Sequence, residues 1–181
     1  MSVHPRTIAT EPNIAMSLDL HIKSKTPILK HGTGVYVREK GRTRELESLA
    51  EVRKYFPDAD ISHIKEFDYE TDDMWHGNIT HNMTEMADHV PIGELTLYDY
   101  LWRPKEHGFE NASVDYLHGV FEGLMYLKNH KEELLPYEPD PDPKTGERWG
   151  DYGLLVQFCI SLINCMMELD FSNEYRILSD V

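Results

Sequence analysis

Apolar and polar residues alternate along Leu18-Asp19-Leu20-His21-Ile22, the two-residue period of a strand with one buried face. Ile28 to Val37 predicts its hairpin partner, with Gly32-Thr33-Gly34 supplying the turn. Leu46, Leu49, Val52 and Phe56 recur near helical spacing, and Pro57 stops that helix. Alternation returns, less cleanly, at Ile61, Phe67 and Tyr69. The rest of the chain has mainly a helical period. Asn78 suits the N-cap of a helix with Ile79, Met83, Met86, Ala87 and Val90 on one face, ended by Pro91. A short helix follows over Leu95 to Trp102, closed by Pro104. Ser113 or Asn111 caps the next, whose stripe reads Val114, Leu117, Phe121, Leu124 and Met125. Pro136, Pro139, Pro141 and Pro143 keep the following stretch extended. Asp151 caps a last helix that is apolar nearly all round and therefore central, and Glu174 to Leu178 returns as a strand.

Helices do not interleave regularly with strands, which predicts an α+β fold rather than a doubly wound sheet. The expected form is a small, mostly antiparallel sheet of three to five strands packed with four to five helices. Residues 1–16 lack periodicity and predict a mobile tail, leaving 17–181 as a single domain.

Charge changes this picture more than composition does. The 181 residues carry a formal net charge of -14. Such a surplus repels phosphates and anionic headgroups, so direct nucleic-acid or membrane binding is not expected. The charge is also blocked: Lys23 to Lys54 holds nine Lys/Arg against four Glu, whereas Asp58 to Asp73 holds seven acids against Lys65 alone. Cys159 and Cys165 fall in one helix, about 9 Å apart along its axis, too far for an undistorted disulfide. Reduced thiols and a cytoplasmic, reducing compartment are the expectation. The amino terminus lacks the apolar stretch of a signal peptide. Gly153 to Met167 falls short of the roughly 20 residues that span a bilayer.

Four short motifs in fixed order carry a resemblance: Leu18-Asp19-Leu20-His21-Ile22, Asn78-Ile79-Thr80-His81-Asn82-Met83, Leu101-Trp102-Arg103-Pro104 and Trp149-Gly150-Asp151-Tyr152. Together they resemble a group of small uncharacterised proteins of bacteriophage and prophage genomes, over most of residues 17–179. The resemblance implies a phage or mobile-element origin and marks about 23–73 as an insertion. By analogy it implies a role against host defence.

Two segments could build a ligand site. Asn78, Thr80, His81 and Asn82 bring hydrogen-bonding groups to an expected helix start, where unpaired N–H groups favour anions. Trp149 and Tyr152 flank a second start, and Trp102 with Arg103 lies between the two in sequence. These eight residues either share a pocket for a polar ring or phosphorylated ligand, or they are caps and packed aromatics. Gln157, Ser161 and Asn164 form a polar row in the last helix that either lines a pocket or bonds to neighbours. No metal is expected: His81, Glu85 and His89 lie on a solvated helix face, and the acidic pairs lack a calcium loop. No cofactor is expected, and no nucleophile motif appears.

The leading expectation is therefore a non-enzymatic accessory protein that binds, and by analogy inhibits, a host macromolecule with a basic surface. Its docking face would be Asp58, Asp60, Glu66, Asp68, Glu70, Asp72 and Asp73. The alternative is a small-molecule or nucleotide-binding protein, sequestering or enzymatic, using a pocket near Asn78–Asn82 and Trp149–Tyr152.

Overall fold

The computed structural model describes residues 17–39, 42–146, 148 and 150–180, the side chains of Ser17, Arg42 and His81 excepted. The expected tail over 1–16 and Trp149 lie outside the described residues.

The alternation at Leu18–Ile22 belongs to a strand of 16 residues, β1 (Ser17–Gly32). Its partner is the 14-residue β4 (Phe67–Thr80), antiparallel from Ser17↔Thr80 to Gly32↔Phe67. Leu18, Leu20, Ile22, Trp75, Gly77 and Ile79 point inward and are buried. Asp19, His21, His76 and Asn78 point outward. The register shifts after Ile22, and again where residues 24–27 of β1 stand against Asp72 alone. There Lys25 N donates to Glu174 O at 3.1 Å and Thr26 N to Ser24 Oγ at 3.3 Å. This waist divides the ribbon, since no residue of 28–32 or 67–71 belongs to the main core cluster.

Beyond the waist the chain builds an arm. Ile28–Val37 does not form one hairpin strand: residues 28–32 finish β1, and after the turn at Thr33–Val35 come β2 (Tyr36–Glu39) and β3 (Arg42–Glu45). Then α1 (Leu49–Tyr55) begins at Ser48, whose side chain accepts from Glu51 N. Leu46 and Val52 are buried as a small nucleus of the arm. The sheet order is β2-β3-β4-β1-β7, with β7 (Tyr175–Asp180) pairing Asp19↔Asp180 to Ser24↔Tyr175. The open side of β7 is closed by Ile177 N→Glu110 O at 3.0 Å and Ala112 N→Tyr175 O at 2.9 Å, which protects an edge that could otherwise recruit another strand.

The other elements are α2 (Thr84–Asp88), the two-residue strands β5 (Pro91–Ile92) and β6 (Leu95–Thr96), α3 (Leu97–Trp102), α4 (Val114–Asn129), α5 (Lys131–Leu134) and α6 (Tyr152–Glu168). The fold is α+β, as the element order predicts; the helix beyond the expected five is the single turn of α5. Asp151 caps α6 by accepting from Leu154 N at 2.7 Å. Leu155, Phe158, Cys159, Leu162 and Met166 of α6 are buried in the core shared with the sheet and α4. Burial pushes the Cys159 thiol up to about 12. Ser161 accepts from Trp75 Nε1 at 3.0 Å, so the middle of the polar row on α6 anchors a core tryptophan, while Asn164 faces water. No described helix is long and apolar enough to cross a membrane.

Two further expected patterns change. Asn78 caps no helix: it lies in β4, because Trp75, Gly77 and Ile79 continue the inward alternation up to Thr80, and α2 begins only after a tight turn at His81–Met83. Helix α4 is rotated relative to its expected stripe. Its buried side is Tyr116, Gly119, Val120, Gly123, Leu124 and Leu127, leaving Val114, Phe121 and Met125 on the surface. The two glycines explain the rotation. A Cβ at Gly119 would strike the Tyr100 ring, and one at Gly123 would meet Leu97 Cδ1 at 2.9 Å, so their bare backbone is the side that admits close packing.

Gly77 is equally constrained, because a Cβ there would strike Trp75 and lie 2.7 Å from Phe158 Cε2. Gly77→Ala is expected to destabilise the fold by about 1–3 kcal/mol through overpacking, read as a lower urea midpoint at unchanged slope; an unchanged midpoint would show that these rings are not closely packed.

Candidate functional site: a polar cleft between β3 and β4

Among the described residues β3 registers with β4 only at Arg42↔Gly77. Toward the tip of the arm this pairing stops, and the Glu45 carboxylate bridges the two strands. That carboxylate accepts from Gly34 N at 2.6 Å and from the Tyr69 hydroxyl. It lies where a side chain on Gly32 would stand, so the glycine at the end of β1 makes its seat. The gap between these two contacts is a cleft of ≈ 430 Å³. Thr43, Arg44 and Glu45 line it from β3, Tyr69, Thr71, Asp73 and His76 from β4, Lys30 from β1, and Tyr36 from β2.

The basic groups in this lining are already engaged. Lys30 Nζ donates to the backbone oxygen of Asp73. Arg44 donates to Glu39 at 3.2 Å, to Glu51 at 3.5 Å and to the Tyr55 hydroxyl at 3.3 Å. His31 is held by Asp68 and Glu66, and His76 Nε2 lies 2.9 Å from Asp19 Oδ1. The acidic groups are less fully matched: Glu47 and Glu168 also border the cleft, and Asp73 Oδ1 is enclosed without a hydrogen bond, 3.5 Å from His21 Nδ1. The local field shows in the phenols. Tyr36 is raised by burial and by the charges of Glu45 and Asp73. Tyr69 is raised first by its hydrogen bond to Glu45, then by burial and the same carboxylates.

A polar array on the outer sheet face continues from the cleft. The His21 and His76 rings stack with centroids 4.3 Å apart and planes 2° from parallel. Asn78 Nδ2 donates to Asp19 Oδ1 at 2.8 Å and its own carbonyl accepts from Arg38 at 3.2 Å. Burial pushes the Asp19 carboxyl up, but hydrogen bonds from Asn78 and His76 and the nearby imidazoles outweigh it and hold the group below its ordinary value.

Of the eight residues expected to bind a ligand, the six whose side chains are described, Asn78, Thr80, Asn82, Trp102, Arg103 and Tyr152, do not line one pocket. Asn78 joins this outer array. Thr80 receives Asn82 N at 3.4 Å, and a Cβ on Gly150 would fall 2.6 Å from Thr80 Cγ2 and 2.8 Å from Met83 Sδ. The two motifs thus meet in close packing at Gly150. Tyr152 turns away, donating to Leu127 O at 2.8 Å beneath Lys131. Trp102 is buried on α3 and stacks on Tyr98, and Arg103 lies over Tyr98 while paired with Asp99 and Glu106. The side chain of His81 and all of Trp149 lie outside the described residues. No metal-binding cluster occurs among the described residues.

The expected acidic docking face is partly paired within the arm, although Asp58, Asp60, Glu66, Asp68 and Glu70 stay exposed. The acidic block folds against the basic block, so Lys23 meets Asp72 at 3.3 Å, His21 faces Asp73, and His31 bridges Asp68 at 2.7 Å and Glu66 at 3.5 Å. Glu66 also accepts from Leu49 N at the start of α1, and Asp60 from Ser62 N. Residues 23–73 hold eleven acids and ten Lys/Arg, whereas residues 74–181 hold nineteen against seven. The surplus therefore belongs to the helical body rather than to the arm.

Sequence reasoning missed Tyr36, Glu45, Tyr69, His21, His76 and Asp19 as a set. The outward positions of the alternation, Asp19 and His21, were a usable signal; their pairing with His76 and Asn78, fifty-five and fifty-nine residues on, was not. Comparison of the chain with protein-family models, curated proteins and solved structures finds no match.

His31 carries a testable electrostatic signature, since its hydrogen bonds to Asp68 and Glu66 raise its pKa. A raised histidine stabilises the fold below its unfolded value of about 6.5 and loses that contribution as pH rises through the folded value. NMR titration of the His31 ring should give a midpoint above the ordinary value that falls in Asp68→Asn; an unshifted midpoint would remove these contacts from solution.

Proposed function

We propose that the protein is a binding protein whose cleft between β3 and β4 receives a small organic cation, an amine or a guanidinium. One observation carries this reading: the four basic side chains of the lining, Lys30, His31, Arg44 and His76, are turned onto protein partners, and Glu45 onto Gly34 and Tyr69, while Glu47, Asp73 and Glu168 border the open space. A ligand bearing N–H donors and positive charge meets acceptors there, and charge-assisted hydrogen bonds are the strong kind. Tyr36 and Tyr69 add aromatic surface, which favours cations over anions. The field that keeps both phenols protonated acts in the same sense. This places a small-molecule site away from the helix starts favoured by the sequence and reverses the expected sign of the ligand. The order of motifs at 18–22, 78–83, 101–104 and 149–152 remains the support for a phage or prophage origin and for action on a host component.

Thermal unfolding with agmatine, spermidine and AMP separates the alternatives. A ligand at a hundredfold excess over its Kd stabilises by about 2.7 kcal/mol, so one of the amines should raise the melting temperature and AMP should not. Asp73→Asn and Tyr36→Leu should each reduce the amine effect at least several-fold. Stabilisation by AMP alone, or an amine effect unchanged in both variants, would overturn the assignment.

A further inference from the structure

The exposed face of α4 carries a second, independent surface. Val114, Phe121 and Met125 expose 61%, 48% and 42% of their area. With His118 they fall at i, i+4, i+7 and i+11, so they share one side of a 16-residue helix. Burying this row in the core would be the ordinary use of such a pattern, but Gly119 and Gly123 take the inward side instead. Asp115 and Glu122 are exposed beside the row, and Glu122 lies 3.7 Å from His118. Both carboxylates reach far enough round the helix to raise the Tyr100 phenol, after the larger effect of burial.

We propose that this face docks a basic, amphipathic segment of another protein, with apolar side chains against Val114, Phe121 and Met125 and Lys or Arg side chains toward Asp115 and Glu122. Charge complementarity selects that occupant. Lys128 ends the row, but Asp115 and Glu122 flank it and residues 74–181 carry nineteen acids against seven Lys/Arg, so an acidic or neutral helix gains only the apolar contact, whereas a basic one gains both. A second copy of this chain would bring another chain of net charge -14 against the row, which costs association energy. The surface is distinct from the cleft, and neither proposal depends on the other.

The probe is a synthetic helical peptide with leucines at i, i+3, i+4 and i+7 and lysines on the other positions, set against its leucine–glutamate counterpart. Titrated into the full chain, the lysine peptide should perturb amide signals along 114–125, and the glutamate peptide should not. Its affinity should weaken at least tenfold between 50 and 500 mM salt, since exposed charge pairs are screened. Phe121→Ser should weaken it about tenfold or more. That residue is exposed, so the variant should retain its melting temperature, and Asp115→Asn with Glu122→Gln gives a second variant acting on charge alone. Perturbations scattered over the whole acidic body, or equal affinity for the Phe121→Ser chain, would overturn the proposal. Self-association seen by light scattering and abolished by Phe121→Ser would assign the face to a second copy, and capture of the row by residues 1–16, revealed by new α4 signals on deleting them, would assign it to the chain itself.

Discussion

The antiparallel pairing of β1 with β4 is the constraint on which the other features rest. Its inward positions, Leu18, Leu20, Ile22, Trp75 and Ile79, supply the sheet side of the core, and Gly77 lets Trp75 and Phe158 close over it. Its outward positions create the Asp19, His21, His76 and Asn78 array without any further element being needed. Past the waist at residues 24–27 the same two strands leave the core and become the floor on which β2, β3 and α1 are assembled. The cleft lies where β3, paired to this ribbon at Gly77, is next bridged to it by the Glu45 seat.

The ladder also decides where charge is available. A basic block and an acidic block close in sequence become cross-strand neighbours, and opposite charges placed so are mildly favourable while being removed from the surface potential. Lys23 with Asp72 and His31 with Asp68 are the clearest cases. What is left in the cleft is a local excess of carboxylate over free cation. What is left overall is an acidic helical body, whose exposed α4 row combines apolar side chains with Asp115 and Glu122. Both proposed binding modes therefore attract cations, but they do so with different chemistry: enclosed hydrogen-bond acceptors in one place, an open amphipathic surface in the other.

Local signals in the sequence were reliable where one residue sets one geometry. Asp151 and Ser113 cap the helices they were expected to cap, Pro57 follows the end of α1 closely, and the α+β class follows from element order. Failures came where tertiary contacts choose between two local options. Asn78 is a good cap residue, yet its cross-strand bond to Asp19 and the inward run ending at Ile79 hold it in a strand. The apolar row Val114, Phe121 and Met125 has core periodicity, yet the glycine side of α4 packs more closely. Charge blocks were legible as composition, but their mutual cancellation depends on a register that no window of sequence contains. The cleft was illegible for the same reason: Lys30, Tyr36, Glu45, Tyr69 and Asp73 belong to four strands.

The most direct measurement of the cleft assignment is a crystal structure of the full chain soaked with agmatine. The account predicts the guanidinium or amine of the ligand between the Asp73 carboxylate and the Tyr36 and Tyr69 rings, with Lys30 and Arg44 keeping their present partners. Agmatine bound only on the helical body, with the space between β3 and β4 filled by Lys30 or Arg44, would contradict it.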